Sequence, residues 1–365
     1  MKQSSALPSK EAMKLFSELL LTPHASAPNS PTATKVRTQT RAQFDAMLEM
    51  AEHNHVVIRG LGAYAEIMSA AGDSERAAWA VDAVAAEQTR ITKAVQSLQI
   101  ICSAFDEEGL DITVMKSLDH WPDFGSDIDL FSNASSEAVC DLMQRRFNAE
   151  IATRSWGDRL AGKWNFELPE LAESVEIHIG RLGQTGEQMI LAGLLPQRSR
   201  TLTFDGIPFR VPSASDRIMI STLQRMYRHF YFRLCDIIDS ADLARSGDLD
   251  FNDLRASAQA AGIWPGVSTY LVLVDDYAKS YGAPEIGLPT FVKESARFTG
   301  KVMFFGHPFL RVPIRPQSAG LYRLQLTELV RRGELYSSAR LGLLPWLATA
   351  AAIGHKLTGS DKGIW

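Results

Sequence analysis

Two aspartates that could bind a metal ion lie in one short stretch, Asp127-Ile-Asp-Leu-Phe131. The stretch reads as a β-strand, so Asp127 and Asp129 share one face while the apolar residues between and after them bury on the other. Two carboxylates roughly 7 Å apart along a strand repel each other unless a positive charge lies between them. A hard divalent cation with oxygen ligands, Mg²⁺ or Mn²⁺, fits that chemistry. Taken alone, the pair is equally compatible with a strand end or a loop-edge cap.

The residues before this strand add a second feature. Lys116 and Ser117 end an apolar run, and nine residues separate Ser117 from the acidic strand. This order resembles the nucleotidyltransferases with a DNA polymerase β-like fold. They carry a Gly-Ser or Gly-Gly step, an acid-apolar-acid strand roughly ten residues later, and a third carboxylate on a later strand. Ser117 matches the serine of the step, whereas Lys116 replaces the glycine; a Lys-Gly step is common in an uncharacterised bacterial branch that this chain resembles most.

The resemblance places the third carboxylate on the strand Val175-Glu-Ile-His-Ile179, where Glu176 and His178 share a face. The bacterial branch writes this strand as acid-apolar-His-aromatic, usually with aspartate as the acid, and here an isoleucine replaces the aromatic residue. The resemblance therefore implies that Asp127, Asp129 and Glu176 are catalytic metal ligands and that His178 supports them. An amphipathic strand with a solvated Glu and His is the plain structural alternative.

A helix predicted over 215–244 carries a polar face that includes Arg225, His229, Arg233 and Asp239. In the bacterial branch a histidine, an arginine-leucine step and an aspartate occur in a comparable helix, and the last three of these residues match them. The resemblance implies that His229 and Arg233 meet the β- or γ-phosphate of an NTP, with Asp239 as support. An ion-paired, solvated face with i,i+4 spacing would explain the same residues without a ligand.

The loop before the acidic strand is also expected to contact the nucleotide, through Lys116, Ser117 and Ser126. Ser117 can offer its hydroxyl and backbone N–H to a phosphate oxygen, and Lys116 can offer a point charge. A lysine that merely ends the strand is an equally simple explanation of Lys116. Solvated turn residues are expected at three other positions of this loop, Asp119, His120 and Asp123.

The pattern of apolar residues predicts an α+β protein in which a mixed sheet, the nucleotidyltransferase core of the resemblance, lies between helical segments. A long helix is expected over 75–108, from a cap at Asp73 or Ser74 to Gly109, and a hairpin turning at Asp205-Gly206. A strand-like or turn stretch at 55–59 separates two earlier helices, and late helices are expected near 321–332 and 337–356. The predicted parts are an N-terminal helix and flexible linker (1–35), a helical segment (36–110), the core (111–214), a helical domain (215–282) and a C-terminal segment of unknown role (283–365).

Composition places the chain among ordinary globular proteins. Of its 365 residues, 45% are hydrophobic and 22% charged, and the length suits two or three domains. The formal net charge of −4 argues against a surface that coats nucleic acid. Three widely spaced cysteines fit neither a disulfide framework nor a zinc site and are expected to be buried thiols. Without a recognisable signal peptide or membrane-spanning run, a cytoplasmic protein is expected.

These features and the resemblance together lead us to expect an enzyme, a metal-dependent nucleotidyltransferase. It would move a nucleoside monophosphate from an NTP to a small-molecule or protein acceptor and release pyrophosphate. The acidic balance disfavours an RNA end as acceptor. Two alternatives stay open on the same fold: a catalytically silent nucleotide-binding or interaction protein, which Lys116 in the glycine position and Glu176 in place of aspartate favour, and a metal-dependent nucleotide hydrolase.

Overall fold

The computed structural model describes residues 9–347 and 349–350, most of which are helical. Its helices are α1 (Ser9–Leu21), α2 (Pro31–Arg37), α3 (Arg41–Asn54), α4 (Gly62–Ala70), α5 (Ser74–Glu107), α6 (Ser136–Phe147), α7 (Trp156–Ala161), α8 (Met189–Arg198), α9 (Ala214–Thr222), α10 (Leu234–Arg245), α11 (Phe251–Ala260), α12 (Trp264–Ser280), α13 (Thr290–Ser295), α14 (Ala319–Arg331) and α15 (Leu335–Gly342). Two π-helical segments, Val57–Leu61 and Leu223–His229, precede α4 and follow α9. A 3₁₀ turn lies at Gly300–Val302, and a turn interrupted by an extended Arg315 lies at Ile314–Ser318.

The strands are β1 (Thr113–Met115), β2 (Asp127–Ser132), β3 (Glu150–Ile151), β4 (Lys163–Glu167), β5 (Ser174–Ile179), β6 (Arg200–Phe204), β7 (Ile207–Val211), β8 (Tyr231–Phe232), β9 (Phe304–Gly306) and β10 (Phe309–Arg311). The largest sheet has the order β1-β2-β5-β4-β3; β2 and β5 are parallel and the other neighbours antiparallel. Separate small sheets contain β6-β7 and β8-β10-β9. A mixed sheet between helical segments confirms the predicted α+β class.

One hydrophobic core lies between the large sheet and the second half of α5. Residues from both elements are buried in it: Leu98, Ile101, Phe105, Ile128, Leu130, Val175 and Ile177. Because alternate side chains of β2 and β5 fill this core, the residues between them point to the other face of the sheet. Asp129 and Glu176 are therefore on the face away from α5.

The second hydrophobic core joins the N-terminal helices to the helices that follow the sheet. It contains buried aromatic residues from α1, α3, α4, β8 and α12: Phe16, Phe44, Tyr64, Phe232 and Tyr270. Met115 and Phe131 of β1 and β2 also belong to it. Phe131 lies on the same face of β2 as Asp127 and Asp129, so the acidic face of the sheet meets the helical part of the molecule.

Local signals located the long helix and the hairpin correctly. The Asp73 carboxylate accepts a hydrogen bond from the Arg76 backbone N–H (3.0 Å) at the start of α5, and Gly109 has φ 68° just beyond its end. Asp205 and Gly206 between β6 and β7 have φ values of 49° and 79°, as a type I′ turn requires. Both predictions are confirmed.

The prediction of a single helix over 215–244 is wrong. The chain leaves the helical conformation at Phe230, which has φ 57°, and Tyr231 and Phe232 form β8 before α10 begins. The Phe230 carbonyl accepts a hydrogen bond from the Val312 N–H (2.9 Å), and β8 pairs with β10. Contacts with a distant part of the sequence therefore override a continuous helical pattern.

Smaller differences occur near the two ends of the chain. The stretch 55–59, predicted to be strand-like or a turn, runs into the π-helical segment Val57–Leu61. The predicted flexible linker contains the start of α2, where Thr32 and Ala33 are buried. Residues 1–8 of the predicted N-terminal part lie outside the described residues. So do residues 348 and 351–365, which include part of the helix predicted over 337–356.

The cysteines are free thiols. Cys235 is buried, whereas Cys102 and Cys140 are only half-buried, which corrects the expectation of three buried thiols. Among the residues that the structure describes, no helix combines the length and the apolar character needed to cross a membrane.

Candidate active site

The acidic residues meet where β2 and β5 lie side by side. The parallel register pairs Asp129 with Glu176 and Phe131 with His178. Potential ligand atoms of Asp129, Glu176 and His178 all lie within 4.8 Å of one another. Asp127 is not a member of this tight group, but it lines the same cavity, which has a volume of about 190 Å³. Of the three carboxylates expected to lie together, Asp129 and Glu176 are thus the close pair, and Asp127 lines the same cavity farther away.

Glu176 and His178 are not the solvated residues of an ordinary amphipathic strand. Only 9% of Glu176 and 5% of His178 are exposed. The His178 Nε2 lies 2.7 Å from the Glu176 Oε1 in a hydrogen bond, while the His178 Nδ1 has no partner among the described residues. The imidazole therefore fixes the orientation of the carboxylate.

The loop between β1 and β2 is fastened to the acidic strand by Ser117. Its hydroxyl accepts a hydrogen bond from the Asp129 N–H (2.8 Å) and donates one to the Asp127 carbonyl (3.2 Å). Ser117 lines the cavity, yet its side chain is already used in holding the strand. Ser126 lies at the exposed rim, where its hydroxyl is 3.4 Å from a carboxylate oxygen of Asp127.

Two lysines lie on the two central carboxylates. The Lys116 Nζ is 2.5 Å from the Asp129 Oδ1, and the Lys163 Nζ contacts the Glu176 Oε2. Without a nucleotide, Lys116 therefore pairs with Asp129, whereas the sequence predicts that it contacts a phosphate. Lys163 had no role in the sequence prediction, although it faces His178 across the antiparallel β4–β5 pair.

Burial and mutual repulsion perturb these carboxylates. Burial raises the pKa of Asp129 to about 6; Lys116 opposes this change and the Glu176 charge adds to it. Burial acts in the same direction on Glu176, but the His178 hydrogen bond and the charges of Lys116, His178 and Lys163 hold its pKa well below the ordinary value. Burial and the Glu176 charge also raise the pKa of Asp127. Negative charge is therefore disfavoured at Asp127 and Asp129 and stabilised at Glu176.

Another part of the cavity lining is basic. It is formed by residues of the second π-helical segment, of β8 and of the residue before α10: Gln224, Arg225, Arg228, His229, Tyr231 and Arg233. We call these six residues the basic wall. Burial, Arg228, Arg225 and Lys116 lower the pKa of His229 to about 2, so this imidazole is neutral at pH 7. Carboxylates and guanidinium groups thus line one cavity.

Arg225 is the anchor of the basic wall. Only 1% of it is exposed, and its Nε lies 2.8 Å from the Asp236 Oδ2 in an ion pair. Although burial acts against the charge, Asp236 raises the pKa of Arg225, so the group stays positive. Its Nη1 has no hydrogen-bond partner among the described residues. A buried donor without a partner, in a side chain that lines a cavity, suits an anionic ligand.

Arg233 holds its place through aromatic rings. Its guanidinium lies 5.9 Å from the ring centre of Tyr231 and 5.7 Å from that of Phe309, and these two rings stack at 4.0 Å. The Arg233 backbone N–H donates a hydrogen bond to the Asp236 carboxylate (2.6 Å), and this bond caps the start of α10. Arg233 and His229 both border the acidic cavity, Arg233 from the start of α10 and His229 from the end of the second π-helical segment.

Asp239 lies between Arg59 and His120. Its two oxygens are 2.6 Å from the Arg59 Nη1 and 2.6 Å from the His120 Nδ1. His120 stacks on His55, and both rings line the cavity. Asp239 thus supports the cavity wall through His120 and has no direct place at the carboxylates.

The expectation of solvated turn residues in the β1–β2 loop is wrong. Asp123 is 1% exposed and lies 2.7 Å from the Arg59 Nε. Asp119 pairs with Arg217 at 2.7 Å, and His120 is 9% exposed. The polar residues of this loop therefore form buried ion pairs that join the sheet to the helices.

The carboxylate group fits a hard divalent ion in its ligand chemistry. Asp127, Asp129 and Glu176 offer oxygen atoms to one cavity, and the tightest of them lie within 4.8 Å of one another. Mg–O distances of about 2.1 Å let one ion bridge oxygens up to about 4.2 Å apart, so a small approach of these side chains would suffice. A second group of potential ligands, His120, Cys235 and Asp239, is already joined by internal contacts, including 3.8 Å between the Cys235 Sγ and the His120 Nε2.

No family model and no curated protein matches this chain. Solved structures that it is similar to include the solution structure of the antibiotic-resistance factor ANT(2'')-Ia, with a TM-score of 0.35 and 14% identity over 46% of this chain and 91% of that chain. Another is the crystal structure of an antigenic nucleotidyltransferase-like protein from Paracoccidioides brasiliensis, with a TM-score of 0.31 and 15% identity over 45% of this chain and 85% of that chain. Similarity at this level identifies no substrate.

Proposed function

We propose that this chain is a metal-dependent nucleotidyltransferase that moves a nucleoside monophosphate from an NTP to a small-molecule or protein acceptor and releases pyrophosphate. One observation carries the proposal. A single cavity is lined by carboxylates from two adjacent parallel strands and by a buried, incompletely paired arginine. An NTP needs both walls, because its triphosphate is a polyanion and its reacting phosphorus needs a cationic centre.

The basic wall would bind the triphosphate. Arg225 offers the unpartnered Nη1, and Arg233 is held on aromatic rings that limit its motion. Arg228 lines the same cavity, and neutral His229 can donate one hydrogen bond. Planar guanidinium groups make paired, charge-assisted hydrogen bonds to phosphate oxygens. The β- and γ-phosphates would lie here, with the α-phosphate toward the carboxylates.

Asp127, Asp129 and Glu176 would hold Mg²⁺ or Mn²⁺, and His178 would orient Glu176. A divalent ion in this place supplies charge that stabilises the triphosphate and lowers the pKa of an acceptor hydroxyl. Burial and the Glu176 charge raise the pKa of Asp129 despite its contact with Lys116, and a divalent ion would offset both causes. Ser117 would keep Asp127 and Asp129 in position through its two hydrogen bonds to the strand.

The acceptor is proposed to be a small molecule or a protein side chain. The chain has a formal net charge of −4, and its cationic residues at the site lie inside the cavity instead of along an extended surface. A nucleic-acid acceptor would require a broad basic surface for its phosphates.

A second candidate is a nucleotide-binding protein without catalysis. The observation that favours it is the pair of contacts that place Lys116 on Asp129 and Lys163 on Glu176, since both central carboxylates are neutralised by the chain itself. A nucleotide could then bind the basic wall while the carboxylates stay occupied. A hydrolase on the same fold would need the same carboxylates free.

One experiment separates these functions. The protein is incubated with each α-labelled NTP, Mg²⁺ or Mn²⁺, and a pool of small-molecule and protein acceptors. Label transfer with release of pyrophosphate supports the nucleotidyltransferase. Release of free phosphate without label transfer identifies a hydrolase, and saturable NTP binding without turnover identifies the silent protein. Absence of NTP binding would overturn all three.

A further inference from the structure

Lys116 occupies a backbone position that suits glycine. Its φ of 55° lies in the left-handed region, which residues with a Cβ adopt only at a cost. Lys116 follows Met115, which pairs with Asp129 across the β1–β2 ladder, and precedes Ser117, which bonds to the same strand. A residue at this place is therefore fixed beside Asp129, whatever its side chain.

The side chain of Lys116 places a positive charge beside Asp129. Its Nζ lies 2.5 Å from the Asp129 Oδ1, and only 14% of the side chain is exposed. Lys116 also lines the cavity together with Arg225, Arg228 and His229. A lysine has a flexible four-carbon stem, so its ammonium can exchange between a carboxylate and a phosphate across a small cavity.

We infer that Lys116 is a counter-ion that the nucleotide releases. In the nucleotide-free protein it neutralises Asp129 and competes with a divalent ion for that carboxylate. When a triphosphate binds the basic wall, its negative charge attracts the Lys116 ammonium and frees Asp129 for the ion. This inference rests on the proposed function, and it makes the metal-ready state of the carboxylates dependent on bound nucleotide.

The inference predicts opposite effects of one substitution on two ligands. Removing the Lys116 ammonium should strengthen binding of the metal alone, because the competitor is lost. The same change should weaken binding of nucleotide without metal, because a phosphate partner is lost. If Lys116 only ended the strand, its substitution would change neither affinity.

The experiment measures Mn²⁺ affinity without nucleotide and NTP affinity in the presence of a chelator, for each of the four NTPs. Lys116→Gly adopts φ 55° without strain, and Lys116→Met keeps the apolar stem. Both variants should bind Mn²⁺ at least about 5-fold more tightly than wild type, the lower end of typical coupling between sites. Both should bind the NTP more weakly in chelator.

Two controls separate charge from other causes. Lys116→Arg keeps the charge and should keep the weak Mn²⁺ binding of the wild type. Lys279→Met removes an ammonium that pairs with Glu285 on the outside of the molecule and should change neither affinity.

If folded Lys116→Gly and Lys116→Met bind Mn²⁺ no more tightly than wild type, while the wild type binds NTP and Mn²⁺ together, the counter-ion inference fails alone. If the wild type binds neither NTP nor Mn²⁺, with or without the other, the proposed function fails and takes the inference with it.

Discussion

The two walls of the cavity are built in different ways. Asp129 and Glu176 of the acidic wall are direct neighbours in a backbone ladder, so their separation is set by the spacing of two strands. The basic wall is held by side chains: Arg225 by its ion pair with Asp236, and Arg233 by the stacked rings beside it. Two kinds of scaffold therefore place opposite charges at one site.

In the acidic wall, the side chains proposed to act in catalysis are not those that hold the fold. In the basic wall, the same side chains have both tasks. The ladder of β2 and β5 does not depend on the identity of the side chains that face the cavity. The structure of the basic wall does depend on its side chains, because Arg225 and Asp236 are a buried ion pair. Removal of either residue leaves the charge of the other unpaired. Substitutions in the acidic wall should change activity and spare the fold, whereas substitutions in the basic wall should change both.

The largest expected effect is on the acidic wall. Asp129→Asn should lower label transfer at least ~10³-fold, on the order of 4 kcal/mol in barrier height, because the proposed metal loses a charged ligand. Nucleotide binding should fall much less, since the basic wall is intact. The melting temperature should stay close to that of the wild type, because relief of repulsion from Glu176 offsets the lost Lys116 contact. Near-normal transfer would show that the carboxylate is not needed.

The matched control for that substitution is Asp141→Asn. Asp141 is a solvent-exposed carboxylate on α6 that pairs with Arg145 at 3.3 Å. The Asp141→Asn substitution should leave label transfer, nucleotide binding and the melting temperature unchanged. Label transfer, titration of NTP and thermal unfolding are measured on the same preparations.

The next effect is on the stability of the basic wall. Arg225→Met should lower the free energy of unfolding by about 3 kcal/mol, because Asp236 would be left buried without its partner. Arg228→Met, in the same π-helical segment but only half-buried, should cost much less. Urea denaturation measures both. A loss below about 1 kcal/mol for Arg225→Met would mean that this pair behaves as an exposed one.

A smaller effect is expected where the basic wall meets the ligand. Arg233→Ala should weaken NTP affinity by about 1.5–3 kcal/mol through loss of a charged phosphate contact. Arg245→Ala, at the other end of α10 and paired with Asp242, should leave NTP affinity unchanged. Calorimetric titration of both variants gives the comparison. Equal affinity of wild type and Arg233→Ala would favour a purely structural arginine.

The smallest effect concerns pH and His120, which lines the cavity and pairs with Asp239. Burial acts to lower the pKa of His120, but Cys235 and Asp239 raise it well above its ordinary value. A raised pKa in the folded state stabilises the protein fully below about 6.5 and loses that contribution as pH rises through the folded pKa. The free energy of unfolding should therefore decrease with rising pH above about 6.5. His120→Asn should flatten this decrease, and His24→Asn at an exposed position should not.

The acidic wall could be predicted from the sequence because its signals are local. A period of two residues assigns Asp127 and Asp129 to one face, and the same rule assigns Glu176 and His178 to one face of a later strand. That β2 and β5 are adjacent came from the family resemblance alone. Lys163 could have been found from its place on the intervening strand β4, whose alternation directs it to the same side as His178.

The basic wall could be predicted only in part. The helical pattern over 215–244 gives no sign that Phe230 takes a left-handed conformation, because its cause is the pairing of β8 with β10, whose residues come much later in the sequence. The same error assigned Arg225 to a polar helical face with no role, although it is among the most buried side chains. The turn composition of the β1–β2 loop likewise conceals that Asp123 is buried against Arg59.

The pairing of β8 with β10 also sets the order in which the site can be completed during synthesis. A growing chain that has reached Arg233 contains every residue proposed to touch the nucleotide, but it lacks Phe309 and the strand that holds Tyr231. At roughly 5–20 residues per second, several seconds separate the two stages on a ribosome. We therefore expect the nascent protein to complete its carboxylate wall first and the proposed nucleotide site only after β10 has emerged.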